Sequence, residues 1–240
     1  MKKKIVFAII IVLIVSLVGG TVYYINDYYK ADEVAVSLIT VPKTSVTVTE
    51  ENGVFTFKPQ NATKGVIFYP GGKVEATAYA PLMQALAENG ILSVLVTMPG
   101  NLAVLDMNAA DGLKEKYPEI ESWYMSGHSL GGSMASSYIA ENSKEFDGII
   151  LLASYSTVDL SKSGLDVISI YGTNDGVLNM EKYEECKPNL PEDFKEVVIT
   201  GGCHAYFGAY GEQDGDKKAA ITREEQIGIT VDEILQFINN

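Results

Sequence analysis

The pentapeptide Gly127-His128-Ser129-Leu130-Gly131 sets a serine midway between two glycines. It follows a short apolar run, Trp123–Ser126 (WYMS), and opens a small-residue stretch with helical spacing, Ser129–Glu141. In that setting the serine must occupy a sharp strand-to-helix turn, and the flanking glycines remove the side chains that would clash there. Its hydroxyl is lifted above the sheet, at the positive end of the following helix. A hydroxyl held this way is suited to attack a carbonyl carbon, provided a base takes its proton.

Only two histidines are available. His128 adjoins the serine, so its ring should point away from the hydroxyl and support the neighbouring loops. His204, in VVITGGCHAYFG just after the last strand-like run, is the expected base. The expected orienting acid is Asp175, in the Gly-rich turn of VISIYGTNDGV. Asp166 precedes its strand and should lie at the opposite end of the sheet. Asp159 follows the preceding strand and remains a rival. The chain order is then Ser129, Asp175, His204. Tyr206 and Phe207 follow the base closely and either wall an acyl pocket or pack the loop against the sheet. Asp214-Gly215-Asp216 has the look of a calcium-loop fragment, but two acids fall short of a ligand set, so neither a metal nor another cofactor is expected.

These loops need a scaffold, and the hydrophobic pattern supplies one. Val46–Thr49 and Val54–Phe57 alternate around Asn52-Gly53, a hairpin signature. Six further strand-like runs follow: Gly65–Tyr69, Leu92–Thr97, Trp123–Ser126, Ile149–Ala153, Val167–Tyr171 and Val197–Thr200. Several are continuous and β-branched, as strands buried on both faces should be. Helical patterns over Thr77–Glu88, Ala103–Tyr117, Ser129–Glu141 and Arg223–Ile238 separate most of them. The expected fold is α/β, a doubly wound, mostly parallel sheet with an opening β-hairpin, whose chemistry sits at the carboxyl ends of the strands.

With these pieces in place, residues 46–238 resemble the α/β-hydrolase family, in its small, lidless, dienelactone-hydrolase-like branch. The likeness rests on YPGGKVEATAY at 69–79, SGHSLGG at 126–132, IYGTNDGVL at 170–178 and GGCHAYFGAYGEQDGD at 201–216. Dienelactone hydrolases themselves use a cysteine where this chain has Ser129. The resemblance implies a serine hydrolase that cleaves a carboxylic ester through an acyl-serine intermediate. An acyltransferase of the cell envelope and a catalytically silent, membrane-tethered binding protein are the alternatives. It further implies an oxyanion hole made by the Leu130 N–H and the Lys73 N–H, with Gly72 as the fallback for the second donor. Members with buried pockets carry a helical lid between the sixth strand and the acid-bearing strand. Here Ser154–Asp166 leaves 13 residues, too few for a cap. An open cleft suits a bulky ester.

With 240 residues, 47% of them hydrophobic, the chain can bury one sizeable core. Its net charge of −13 repels phosphate backbones and argues against nucleic-acid binding. The charge is uneven: Lys2, Lys3 and Lys4 precede Ile5–Ile25, 21 residues without a charge. As a helix that run spans roughly 30 Å, enough to cross a lipid bilayer. The lysines should stay cytoplasmic, and Tyr23, Tyr24, Tyr28 and Tyr29 fit an aromatic belt at the outer interface. The expected organisation is an anchor over 1–25, a tether over 26–45 and a hydrolase domain over 46–240, held single-pass on the outer side of the plasma membrane. A cleaved signal peptide is the competing reading, although an A-x-A cleavage pattern is missing. In an oxidising compartment Cys186 and Cys203 either form one disulfide or remain two buried thiols. Protease added to intact cells should digest residues 45–240 and leave a protected anchor fragment. A mature chain beginning near Gly20 in the medium would contradict the anchor.

Overall fold

The computed structural model describes residues 2–40 and 45–239. Eight strands form where the pattern predicts them: β1 (Val46–Glu51), β2 (Val54–Pro59), β3 (Lys64–Tyr69), β4 (Ile91–Val96), β5 (Ser122–His128), β6 (Gly148–Leu152), β7 (Asp166–Gly172) and β8 (Lys195–Ile199). They make one sheet in the order β1-β2-β4-β3-β5-β6-β7-β8. β1 and β2 pair as the antiparallel hairpin, with Asn52 and Gly53 at φ 52° and 78°. β2 is also antiparallel to β4, and every later pairing is parallel.

Period-two alternation along the central strands feeds two cores. Val66 and Phe68 face one side, where α3 (Ala80–Glu88) and α6 (Arg223–Ile238) bury Leu82, Met83, Val231 and Ile234. Ile67 and Tyr69 face the other, where α4 (Leu130–Glu141) buries Ala135, Tyr138 and Ile139. α6 starts on a capping box in which Thr222 and Glu225 satisfy each other's backbone N–H. No helix caps the sheet between β6 and β7.

Three expectations fail locally. Ala103–Tyr117 is not an α-helix. It holds only short 3₁₀ turns at Ala103–Leu105 and Lys114–Lys116, because Asp106, Asn108 and the Asp111-Gly112 turn (Gly112 at φ 70°) interrupt it. Its apolar spacing is nevertheless used, since Ala103, Ala110 and Leu113 are buried. α5 (Met180–Cys186), capped by the Asn179 side chain, was not foreseen. The segment read as a tether contains α2 (Glu33–Thr40), whose start is held by Asp32 Oδ1 accepting from the Ala35 N–H at 2.9 Å. Ala35 is fully buried and α2 packs on α3.

α1 (Lys2–Asn26) is long and apolar enough to cross a membrane, and its span Ile9–Asn26 is unburied. Cys186 and Cys203 are both free thiols, so the disulfide alternative is not realised. Cys203 sits in the core, and burial pushes its thiol up to about 12. Alkylation of the denatured chain without reductant should therefore modify both cysteines, and reductant should leave the thermal midpoint of the native protein unchanged. One cysteine pair resistant to alkylation would show the opposite.

Candidate active site

The serine turn is as strained as its motif requires. Ser129 is at φ 52°, ψ −124°, a region that costs a non-glycine residue on the order of 1–3 kcal/mol. The glycines around it are spatial necessities. A Cβ on Gly131 would lie 2.2 Å from the Tyr69 and Pro70 carbonyl oxygens, and one on Gly127 would lie 2.6 Å from the Gly131 backbone. The turn is held by the Ser129 N–H donating to Leu152 O (2.9 Å) and by Ser154 Oγ donating to Ser129 O (2.7 Å).

His204 and Asp175 come together at the carboxyl ends of β8 and β7. His204 Nδ1 lies 2.8 Å from Asp175 Oδ2, with both groups buried. The other oxygen, Asp175 Oδ1, accepts from the Val177 and Leu178 N–H groups at 2.9 and 2.7 Å. A carboxylate so placed accepts a hydrogen bond from Nδ1–H, which leaves Nε2 as the basic nitrogen. His204 Nε2 is buried and has no protein partner. His204 and Ser129 line one cavity of about 240 Å³, walled by Tyr155, Val177 and Leu178. No hydrogen bond joins Ser129 Oγ to Nε2 among the described residues, and such contacts commonly tighten only when substrate is bound. The rival acids lie elsewhere: Asp166 is exposed at the amino start of β7, and exposed Asp159 accepts from the Ser161 hydroxyl and N–H.

His128 packs beneath this site, its ring centre 4.5 Å from that of His204. Tyr79 Oη accepts from the Gly71 N–H (3.0 Å) and bonds His128 Nδ1 (2.7 Å). Burial, and next the facing His204, hold the His128 pKa well below the usual imidazole range, so the ring stays neutral. Burial likewise pushes the Tyr79 phenol up, so it keeps its proton and donates it to Nδ1.

The oxyanion assignment needs one correction. Lys73 takes the left-handed conformation (φ 59°) and its N–H donates to Asn101 O at 2.7 Å, so it is committed elsewhere. The Gly72 and Leu130 N–H groups have no protein acceptor among the described residues. The two residues are in contact, since a Cβ on Gly72 would touch Leu130 Cδ2 at 2.9 Å. The Lys73 ammonium does not point to open solvent. It pairs with Asp27 at 2.7 Å and lies 4.6 Å from the Tyr24 ring centre. Tyr206 and Phe207 do not wall the Ser129 cavity. Residues 205–207 form a 3₁₀ turn that drives Phe207 into the core against His128, and Tyr206 lines a separate cavity with Cys203 and Asp216.

Sequence reasoning missed Asp216 as a structural clamp. Its Oδ1 accepts from the Gly176 N–H, next to the acid, and its Oδ2 from the Ala205 N–H, next to the base, both at 2.9 Å. Burial raises its pKa, but the N–H donors of Gly176, Ala205, His204 and Lys217 outweigh that and hold it below the usual carboxylate range. A depressed carboxyl pKa adds stability above the unfolded value of about 4, and this is lost as pH falls through the folded value. Asp216→Ala should cost about 1–3 kcal/mol at neutral pH, since it orphans partly buried N–H groups. The gap to the native protein should narrow only below about pH 4, as pH falls through the folded value. Exposed Asp214, replaced by Ala, should change little. A gap independent of pH would refute the clamp.

A serine hydroxyl on a strained turn, a buried imidazole–carboxylate pair and two free N–H groups are the parts that acyl transfer uses. Comparison agrees with that reading at the level of family. The sequence matches the Alpha/beta hydrolase family over residues 65–228. Curated protein sequences return no match. Among solved structures, Est1E from Butyrivibrio proteoclasticus superposes with a TM-score of 0.59 at 13% identity, covering 82% of this chain and 100% of its own. A dienelactone hydrolase from Anabaena variabilis gives 0.57 at 15%, covering 81% and 98%. A soluble variant of monoglyceride lipase from Saccharomyces cerevisiae gives 0.57 at 14%, covering 83% and 96%. At such identities these structures speak for the fold, and the family match covers most of the chain: this protein belongs to the alpha/beta hydrolase family.

Proposed function

We propose that this protein is a membrane-anchored serine hydrolase that cleaves a carboxylic ester through an acyl-serine intermediate. The observation that carries the reading is the buried Asp175–His204 hydrogen bond, which leaves His204 Nε2 unpartnered in the cavity that Ser129 lines. His204 Nε2 takes the Ser129 proton as Oγ bonds to the acyl carbon. The Gly72 and Leu130 N–H groups receive the oxygen that gains the negative charge. His204 then gives the proton to the leaving alcohol as the carbon–oxygen bond of the ester breaks. Water repeats the sequence on the acyl-enzyme, releasing the acid and restoring Ser129. Asp175 holds the tautomer and stabilises the imidazolium.

Acyl transfer to an alcohol would use the same intermediate. The open cavity without a cap favours water as the acceptor, because nothing in the fold excludes it. A silent binding scaffold would have no use for a serine held at a costly backbone conformation. α1 fits an uncleaved anchor with the lysine end in the cytoplasm and the hydrolase domain outside, where a bulky ester is accessible to an uncapped site.

Ser129→Ala and His204→Ala should each lower kcat/KM on an activated acyl ester by about 10⁴-fold or more, and the double variant should be no slower than either. Asp175→Asn should fall as far or less, while Asp159→Asn and Asp166→Asn keep most activity. Native rates from Ser129→Ala would sink the mechanism. A crippled Asp159→Asn beside an active Asp175→Asn would move the acid and leave the nucleophile in place.

A further inference from the structure

The end of α1 is fastened to the rim of the site with no slack. Asp27 continues the helix, its N–H donating to Tyr23 O, and its carboxylate holds Lys73. The Tyr29 N–H donates to Lys73 O at 2.7 Å, and the Glu75 N–H donates to Tyr29 O at 2.9 Å. The Ala31 N–H donates to Glu75 Oε2, the Asp32 N–H to Ala209 O, and Asp32 pairs with Arg223. From Asn26 to the docked Tyr29 is three residues, ~10 Å even if fully extended.

The fastened rim belongs to the carboxyl end of the sheet. Lys73 is in the loop after β3 and bonds Asn101 in the loop after β4. Its neighbour Gly72 lies against Leu130, the residue after the nucleophile. Ile25, on the last turn of α1, and Leu105 both reach the open side of Gly100, within 3.6 and 3.8 Å of where its Cβ would stand. Beside that contact Val104 and Leu105 leave 57% and 59% of their surface exposed, on a turn that packs against α4. Two adjacent exposed aliphatic side chains sit where an apolar helix leaves the domain.

We infer that the outer surface of the bilayer crossed by α1 lies directly against the mouth of the site. Val104 and Leu105 dip into its interface, and the substrate is an acyl ester presented from the membrane, an amphiphile with its carbonyl at headgroup depth. This rests on the reading of α1 as a membrane span and of Ser129 as the nucleophile. A single apolar helix end would permit any orientation of the domain. The stapled residues 27–32 permit one, with the carboxyl ends of the strands turned to the lipid and the amino ends away. Membrane attachment then raises the effective concentration of a lipid-borne ester at Ser129 without further contacts. It also accounts for a small cavity of about 240 Å³, since the remainder of an amphiphile stays in the leaflet.

The test uses the full chain in phosphatidylcholine vesicles, with two readouts. Trp123 is the only tryptophan and lies near the amino end of β5, on the far side. Native fluorescence should be insensitive to brominated phosphatidylcholine, whereas Leu105→Trp should add a component that the brominated lipid quenches. Equal insensitivity of the two proteins overturns the apposition, and this readout does not depend on catalysis. For the substrate, a flexible 20-residue Gly-Ser spacer inserted between Asn26 and Asp27 keeps residues 27–32 docked but frees the domain from the surface. Hydrolysis of 4-methylumbelliferyl oleate dissolved in the vesicle should fall about tenfold, with hydrolysis of water-soluble 4-methylumbelliferyl acetate unchanged. Equal rates on the oleate with and without the spacer overturn the membrane-borne substrate. If the native protein cleaves neither ester, the hydrolase reading fails, and with it the substrate, while the quenching still decides the orientation.

Discussion

The backbone at Ser129 is the constraint on which the rest of the site depends. A non-glycine residue at φ 52°, ψ −124° is unfavourable by itself, so its surroundings must hold it there. They do so by proximity. The turn from β5 into α4 passes so close to the end of β3 that position 131 has no room for a Cβ beside the Tyr69 and Pro70 carbonyls. That close approach is also what brings the Gly71-Gly72 loop over the helix start. The strain and the nearness of the free Gly72 N–H to the helix start are therefore two consequences of one packing arrangement. Enlarging Gly131 would separate the loops rather than merely add a methyl group.

Around this turn, polar groups are aligned by a few buried side chains with their partners satisfied. Tyr79 ties Gly71 to His128, so the donor loop and the layer under the base move together. Asp216 ties the residue after the acid to the residue after the base. Asp175 spends one oxygen on its own loop and the other on His204. His204 Nε2, the nitrogen the proposed chemistry needs, is buried without a protein partner, as is Nε2 of the His128 ring packed beneath it. A ring that borders a cavity and is held by a buried carboxylate is preorganised, and it has little reorganisation left to undergo during reaction.

The strands were legible because their runs are continuous and β-branched and because Asn52-Gly53 marks the hairpin. That Ser129, Asp175 and His204 gather at one end of the sheet was legible because each residue follows a strand closely enough to reach it. What escaped depends on tertiary contact. α2 has 8 residues, too few to be stable alone, and it exists because Ala35 packs on α3. The Ala103–Tyr117 pattern carries apolar spacing that serves burial without helix. The Lys73 N–H is lost to the oxyanion hole because the loop takes a left-handed turn at a lysine, which residue type does not announce. Tyr206 and Phe207 stand near His204 in sequence, but the 3₁₀ turn between them rotates Phe207 into the core. Asp216 was visible as an acid, and only its two N–H partners reveal what it holds.

The account stands or falls on Ser129 being the group that bonds to the acyl carbon. The most direct measurement is to treat the full chain with a fluorophosphonate, digest it and locate the adduct by peptide mass. A single adduct on Ser129, lost when His204 is replaced by alanine, is the predicted result. An adduct on another residue, or an unmodified Ser129 in folded protein, would contradict it.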